Sequence, residues 1–485
     1  MLAMRSGLRY RARTGPVPGS CADWPEHYLV SGRSSFHFST GLRQVIDRLG
    51  VDAAALWWSL LYFFFLLTGY YVLRPVRDAM GASADVQAIF PQALTTWAQA
   101  RGIDLGGFTL QVLFTGTFIS MVLLQPVYGA LVSRFPRRVF LPVVYLFFIA
   151  CLLFFYWAFS HEMPGRGAVF FIWVAVFNLF AVAVFWSYMA DVFDNDGAKK
   201  VYGYIGAGGT IGALTGPTIT NLLVERIGVA NLLLVSAGFL CLCLVCILKL
   251  RPWALQREQR HRQTSGESAM GGSTLAGLYL IWKDPLLRAL AMLMFFGVGI
   301  GTLLYNEQAA IARQLVADAS RTAYYARLDW GVNMLTIVVQ VFATRWLLRR
   351  YGVAPLLLIP ACVVLLGFAV LTASPLPMLI WVVQVMTRAS EFSLAKPARE
   401  TIYTRVGREA RYKAKAVIDT AVYRGGDLSF VWLHKFLSGF GSSVVFLTGI
   451  GVAFGAAWSA WQVIKAQRQL PEDDPQPEVA RAKMA

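Results

Sequence analysis

The residues of this 485-residue chain best placed to do chemistry are charged groups embedded in long apolar runs. One cluster is Tyr70-Tyr71-Val72-Leu73-Arg74-Pro75-Val76-Arg77-Asp78. Helical spacing sets Arg74 one turn from Asp78 as an i,i+4 ion pair. Pro75 predicts either a break or kink in that helix or, since the run to Leu73 is already long enough to span, its end. A second cluster holds Gln384, Arg388, Glu391, Ser393, Lys396, Pro397, Arg399, Glu400 and Tyr403. Within it Arg388 with Glu391 and Lys396 with Glu400 have neighbour spacing. A third holds Asp419, Tyr423, Arg424, Gly425-Gly426 and Asp427, where Arg424 and Asp427 meet at i,i+3, and Glu307 ends the run Leu303-Leu304-Tyr305-Asn306-Glu307. Ionisable groups are expensive in hydrocarbon, so they face a cavity or a partner. The chemistry they offer is anion recognition. Arg77, Arg388 and Arg399 supply charge-assisted bidentate bonds to phosphate or carboxylate, and Glu307, Glu391 and Asp427 latch those arginines or bind a proton. Structural ion pairing accounts equally well for about half of the set.

The elements that position these groups follow from composition. The chain is 57% hydrophobic and 15% charged, against roughly 25% charged in soluble domains. A bilayer-spanning helix needs about twenty apolar residues. Runs of that length mark twelve spans, at 54–79, 108–132, 138–160, 167–190, 201–225, 229–249, 286–307, 324–348, 353–373, 376–398, 413–436 and 442–465. The expected fold is an all-α polytopic membrane protein.

Forty-four Lys and Arg against 27 Asp and Glu leave a net charge of +17. The basic residues sit in short clusters between apolar runs rather than in one stripe with interleaved aromatics, which disfavours nucleic acid as a partner. They alternate from loop to loop as the positive-inside bias requires, with Arg134/Arg137/Arg138, Lys199/Lys200, Arg251/Arg257/Arg260/Arg262, Arg345/Arg349/Arg350 and Arg405/Arg408/Arg411/Lys413/Lys415 on one side. Both termini are therefore expected in the cytoplasm. The six cysteines lack metal-ligand spacing, and neither a metal, a disulfide nor a cofactor is expected. No nucleophile–base constellation stands out, so an enzyme is not expected. Gly206-Ala-Gly208-Gly209-Thr-Ile-Gly212 mimics a phosphate turn, but it lies inside an apolar helix with no strand before it and reads as a close-packing surface.

The two halves echo each other, as transporters built from repeats do. Gly129-Ala-Leu-Val-Ser-Arg134-Phe-Pro-Arg137-Arg138 after span two matches Ala343-Thr-Arg345-Trp-Leu-Leu-Arg349-Arg350 after span eight, and Lys200 before Gly208-Gly209 matches Lys415 before Gly425-Gly426. The expected organisation is a polar N-terminal extension at 1–50, a six-helix half at 51–250, a cytoplasmic connector at 251–275, a second six-helix half at 276–467 and a tail at 468–485. This layout resembles the major facilitator superfamily. Gly129, Arg134, Arg137 and Arg138 are similar to its motif after the second helix, where they would serve gating; the acidic position of that motif is Ser133 here.

The polar clusters carry a narrower resemblance, to the ATP/ADP translocase family of nucleotide transporters. Its first-helix motif Leu-Arg-Asp-Thr-Lys-Asp resembles Leu73-Arg74-Pro75-Val76-Arg77-Asp78. Its tenth-helix segment Lys-Tyr-Ser-Leu-Phe-Asp-Pro-Thr-Lys-Glu-Met-Ala-Tyr resembles Glu391-Phe392-Ser393-Leu394-Ala395-Lys396-Pro397-Ala398-Arg399-Glu400-Thr401-Ile402-Tyr403. The family's Lys-Ala-Ala-x-Asp…Arg-x-Gly is similar to Lys415-Ala416-Val417-Ile418-Asp419…Arg424-Gly425-Gly426. The resemblance implies that Arg77, Arg399 and Glu307 matter for nucleotide transport, while Val174 stands where that family has an acid. The function expected is secondary active transport of a polar, anionic solute by alternating access, in a bacterial inner membrane, with a co-transported proton or a counter-substrate. Proton-coupled transport of a non-nucleotide metabolite or drug, and a membrane receptor or scaffold without transport, are the alternatives.

Overall fold

The computed structural model describes residues 52–134, 137–262, 274–315, 317–403, 406 and 414–469. The N-terminal extension, the middle of the connector, the basic residues Arg405, Arg408, Arg411 and Lys413, and most of the C-terminal tail lie outside the described residues. Twelve long helices are present among those described: α1 (Ala53–Gly81), α2 (Thr109–Arg134), α3 (Arg137–Ser160), α4 (Arg166–Val192), α5 (195–227), α6 (229–262), α7 (Pro285–Arg313), α8 (Asp318–Tyr351), α9 (Ala354–Ala373), α10 (377–403), α11 (414–438) and α12 (Ser442–Arg468). Gly228, at φ 78° and ψ 168°, divides α5 from α6 with backbone angles that residues with a Cβ rarely adopt. By length and composition, nine continuous helical segments among the described residues could cross a membrane, α5 and α6 being one of them. The two that fail the test, α10 and α11, carry the densest charge.

Helix α1 does not end at Leu73. The helix runs on through Pro75 to Gly81, with Asp52 capping its N-terminus by accepting from the Ala54 amide. Arg74, Arg77 and Asp78 therefore sit on the last turns of a spanning helix, not on an exit loop. Similarly, α6 continues as helix to Arg262, through the first half of the segment expected to be a connector.

The glycines of α5 are a packing surface. A Cβ on Gly212 would lie 2.4 Å from the Phe64 carbonyl oxygen, and one on Gly209 would lie 2.3 Å from the Phe63 ring. Small residues let membrane helices approach closely, and here they seat α5 against α1. Their expected counterparts in the second half do no such work: Gly425 has open space at its Cβ, and Gly426 only ordinary contacts.

Buried apolar side chains of α1–α6 form one cluster rich in aromatics, including Tyr62, Tyr145, Phe148, Phe170, Phe177 and Phe185. Those of α7–α12 form two main clusters. One gathers Leu287, Leu290, Leu356, Leu394, Ala398, Ile418 and Val463; the other gathers Leu303, Leu304, Phe368, Val383, Phe430 and Phe446. On α7, α9, α10, α11 and α12 alike, the chain passes from one cluster to the other, and on α10 and α11 the residues between the two are the polar ones. Among the described residues, every exposed large side chain on α3 and α9 is apolar, Phe147 and Leu366 among them, as expected for surfaces that face lipid.

Candidate functional site: a charged central cavity

The polar belt borders a cavity of about 850 Å3. Ten of the candidate residues line it: Arg74, Arg77, Arg388, Glu391, Lys396, Arg399, Glu400, Asp419, Arg424 and Asp427. Helices α1, α2, α4, α7, α9, α10 and α11 supply most of the wall, with Tyr70, Tyr71, Asn178, Thr302, Tyr305, Gln384, Tyr403 and Tyr423 adding polar and aromatic groups. Three π-helical turns occur among the described residues, at Gln340–Thr344, Glu391–Ala395 and Ile418–Val422. Such turns widen a helix locally and are frequent at functional sites. The second and third lie in the stretches of α10 and α11 that reach the cavity. The carbonyls of the α10 turn are met from α8, where Gln340 Nε2 donates to the Phe392 oxygen at 3.2 Å and Thr344 Oγ1 to the Ser393 oxygen at 2.8 Å.

The ion pairs differ in part from those that spacing predicts. Arg74 and Asp78 approach at 3.9 Å and Arg424 with Asp427 at 3.1 Å, as expected. Arg388 does not pair with Glu391. It meets Asp329 of α8 at 3.1 Å, while Glu391 accepts from Arg399 at 2.6 Å. Glu400 pairs with Lys415 of α11 at 2.5 Å rather than with Lys396. Among the described residues Lys396 makes no hydrogen bond or ion pair, and it is exposed where it lines the cavity.

Two candidates are not cavity residues. Asp78 is buried behind the wall, accepting from Arg77 at 2.6 Å and from the Tyr305 hydroxyl of α7 at 3.1 Å. Glu307 is buried at 6% exposure, with His434 Nε2 2.8 Å from its carboxylate. Residues with apolar neighbours hid this pair: nothing in the spacing of His434 suggested a partner 127 positions away. The side chains of Gly129, Arg134, Arg137 and Arg138, the candidate gating motif, lie outside the described residues.

Sequence reasoning missed Asp329. It is 1% exposed and lies 3.5 Å from Arg74 as well as 3.1 Å from Arg388. The signal was available, since Asp329 falls inside the span at 324–348 and a carboxylate there is subject to the same cost in hydrocarbon. Aromatic rings flank the cations. The Arg77 guanidinium lies 5.2 Å from the Phe171 ring centre, that of Arg424 5.1 Å from Tyr423, and that of Arg74 5.6 Å from Tyr71, distances at which a desolvated cation is attracted to a ring face.

Contacts between the first six helices and the last six gather at one end of the bundle. Besides Asp78 with Tyr305, Gln111 Nε2 donates to the Val431 oxygen, Trp432 Nε1 to Thr115, Arg321 to Ser83, and Asn333 to the Ala213 oxygen. Ala79, Ala82, Leu110, Ala309, Ala312, Tyr325 and Val431 fill the space between them. Toward the opposite end, which carries the basic segments, the lining includes the exposed residues Gln125, Lys396, Glu400 and Asp419. Among the described residues the cavity is thus closed at one end and open at the other.

Residues 79–426 match the family model described as Major Facilitator Superfamily. Among solved structures, the chain is similar to the nucleoside transporter NupG (D323A mutant), with a TM-score of 0.59 at 13% identity over 84% of this chain and 99% of that one. It is also similar to the POT family transporter PepTSo, with a TM-score of 0.58 at 13% identity over 86% and 99%. At these identities the likeness is one of fold. No curated protein matches by sequence.

Proposed function

Because the chain belongs to the major facilitator superfamily, we propose that its central cavity carries a polar, anionic solute, a nucleotide or another phosphorylated or carboxylated metabolite. The chain is an integral membrane protein that works as a secondary transporter by alternating access, not as an enzyme. One end of the cavity is sealed and the other open, which is one of the two states such a cycle requires. The observation that carries the substrate reading is the convergence of Arg74, Arg77, Arg388, Lys396, Arg399 and Arg424 on one cavity. Guanidinium forks match carboxylate and phosphate geometry. The carboxylates around them nearly balance their charge, so in the absence of solute each of the five arginines rests on an internal acid, while Lys396 has no ion-pair partner among the described residues. The open end, with the basic segments, faces the cytoplasm in this reading.

A proton-coupled variant has its own support in the buried Glu307–His434 pair, since an intramembrane acid beside a histidine is a usual element of proton relays. Proteoliposomes separate the readings. Radiolabelled ADP or ATP should exchange against internal nucleotide with saturation, and the exchange should fall when Arg399 is replaced by alanine. Intact, monodisperse protein that exchanges no nucleotide removes the nucleotide claim, and accumulation driven by a pH gradient alone favours the proton-coupled variant.

A further inference from the structure

Asp329 joins groups from three helices and from both halves: Arg74 of α1 at 3.5 Å and Arg388 of α10 at 3.1 Å, with Asp329 itself on α8. A carboxylate shared by two guanidiniums in a buried site is ordinarily hydrogen-bonded to them, because unaligned charges recover little of their desolvation. Here they are not. Arg74 Nε, Arg388 Nη2 and both Asp329 oxygens are buried and have no hydrogen-bond partner among the described residues. The contrast with Arg399 and Glu391, hydrogen-bonded at 2.6 Å a few residues away, is direct. The three charges are held close but misaligned, an arrangement that a better-placed anion can displace. Arg74 and Arg388 face the cavity, whereas Asp329 lies behind them and does not line it.

We propose that Asp329 is a positioning residue of the transport cycle, an internal anion that clips Arg74 of the first half to the second half until an anionic group of the solute takes its place on Arg74 and Arg388. The position of the clip gives it this role. Arg74 and Asp329 lie on the cavity side of the sealed end, one turn from Asp78 and its contact with Tyr305. Opening that end must separate Arg74 from Asp329, leaving Arg74 with only Asp78 of its own helix, 3.9 Å away and already hydrogen-bonded to Arg77, unless another anion is bound to it. A solute shifts such an equilibrium only by binding one state better than the other, and an anion on Arg74 does so. Only this last step rests on the reading of the cavity as an anion carrier; the clip does not.

The test is the reactivity of a cysteine at Gly301, which lines the cavity and has open space at its Cβ. In a chain whose native cysteines are replaced, a membrane-impermeant maleimide is added from the sealed side, the side of Ser83 and Trp432, and separately from the open side. Asp329→Asn should speed labelling from the sealed side about tenfold, within the usual range of coupling between sites, and slow it from the open side. Arg74→Gln should act in the same direction, and the double substitution should add nothing further. Unchanged labelling in Asp329→Asn, or faster labelling from both sides, would overturn the clip. Millimolar ADP, pyrophosphate or citrate should speed sealed-side labelling of the unsubstituted Gly301→Cys chain but not of Asp329→Asn. If ADP alone fails, the nucleotide reading falls and the displacement stands; if all three fail, displacement itself is overturned.

Discussion

The two halves of this transporter hold themselves together by different means. The first six helices share one aromatic core and a glycine surface on α5 that brings it against α1. The charges that this half contributes to the cavity are Arg74 and Arg77, both near the end of α1. In the last six helices the apolar core is divided into two main clusters. The described residues of this half include three π turns, two of them on α10 and α11 beside the charges that line the cavity. Close packing without voids leaves a half little room to deform, whereas widened helical turns and ion pairs admit more than one arrangement. On the proposed reading, the first half supplies more of the scaffold and the second more of the solute contacts and of the rearrangement, with Arg74 and Arg77 of α1 completing the cavity.

That division can be broken at several points. The largest effect is expected at Glu307. The structure buries it against His434 outside the cavity, so Glu307→Ala should cost about 3–5 kcal/mol of stability by leaving a buried partner unpaired. Thermal unfolding in detergent reads this, and an unchanged midpoint would return Glu307 to the solute-binding set. Next comes the α1–α5 contact. Gly212→Leu drives a side chain into the Phe64 carbonyl, and overpacking of this kind costs roughly 1–3 kcal/mol or more. The same change at Gly425, where a Cβ meets open space, should be near neutral. Equal losses at both would contradict the contrast between the halves.

Arg399→Ala should lower solute affinity about 10- to 100-fold, the worth of a charge-assisted hydrogen bond, with the unfolding midpoint nearly unchanged because its partner Glu391 is part-exposed toward the cavity. A fall in stability with affinity intact would make that pair structural. The smallest effect belongs to Thr344, whose hydroxyl meets the Ser393 carbonyl of the α10 π turn at 2.8 Å. Thr344→Val should cost about 1 kcal/mol and raise hydrogen exchange on α10 more than on α4.

The architecture was legible in the sequence because hydrocarbon imposes a length on every spanning helix, and runs such as 138–160 and 353–373 answer to that length alone. Ten of the twelve candidate solute-binding residues line the cavity; for Arg388 and Asp427 the reason is related, since an ionisable residue well inside an apolar run has few places to go. Pairing was less legible. Spacing assigned Arg388 to Glu391, but Arg388 meets Asp329 of α8 and Glu391 accepts from Arg399, on the far side of the π turn. Asp329 and His434 find their partners on other helices, and no local pattern encodes such a meeting. The matched Gly-Gly pairs are alike in sequence yet differ in use: the pair on α5 is pressed against α1, whereas Gly425 meets open space and Gly426 only ordinary contacts with α7.

The central claim, that the polar belt of the second half binds an anionic solute, is most directly tested by a thermal-shift screen of purified protein against charged, zwitterionic and neutral metabolites. A ligand at a hundred times its Kd stabilises the folded state by about 2.7 kcal/mol, well within reach of the method. The solutes that stabilise should carry a phosphate or carboxylate, and their shifts should vanish in Arg388→Gln and Arg399→Gln. A neutral or cationic solute as the strongest stabiliser, or shifts that survive both substitutions, would contradict it.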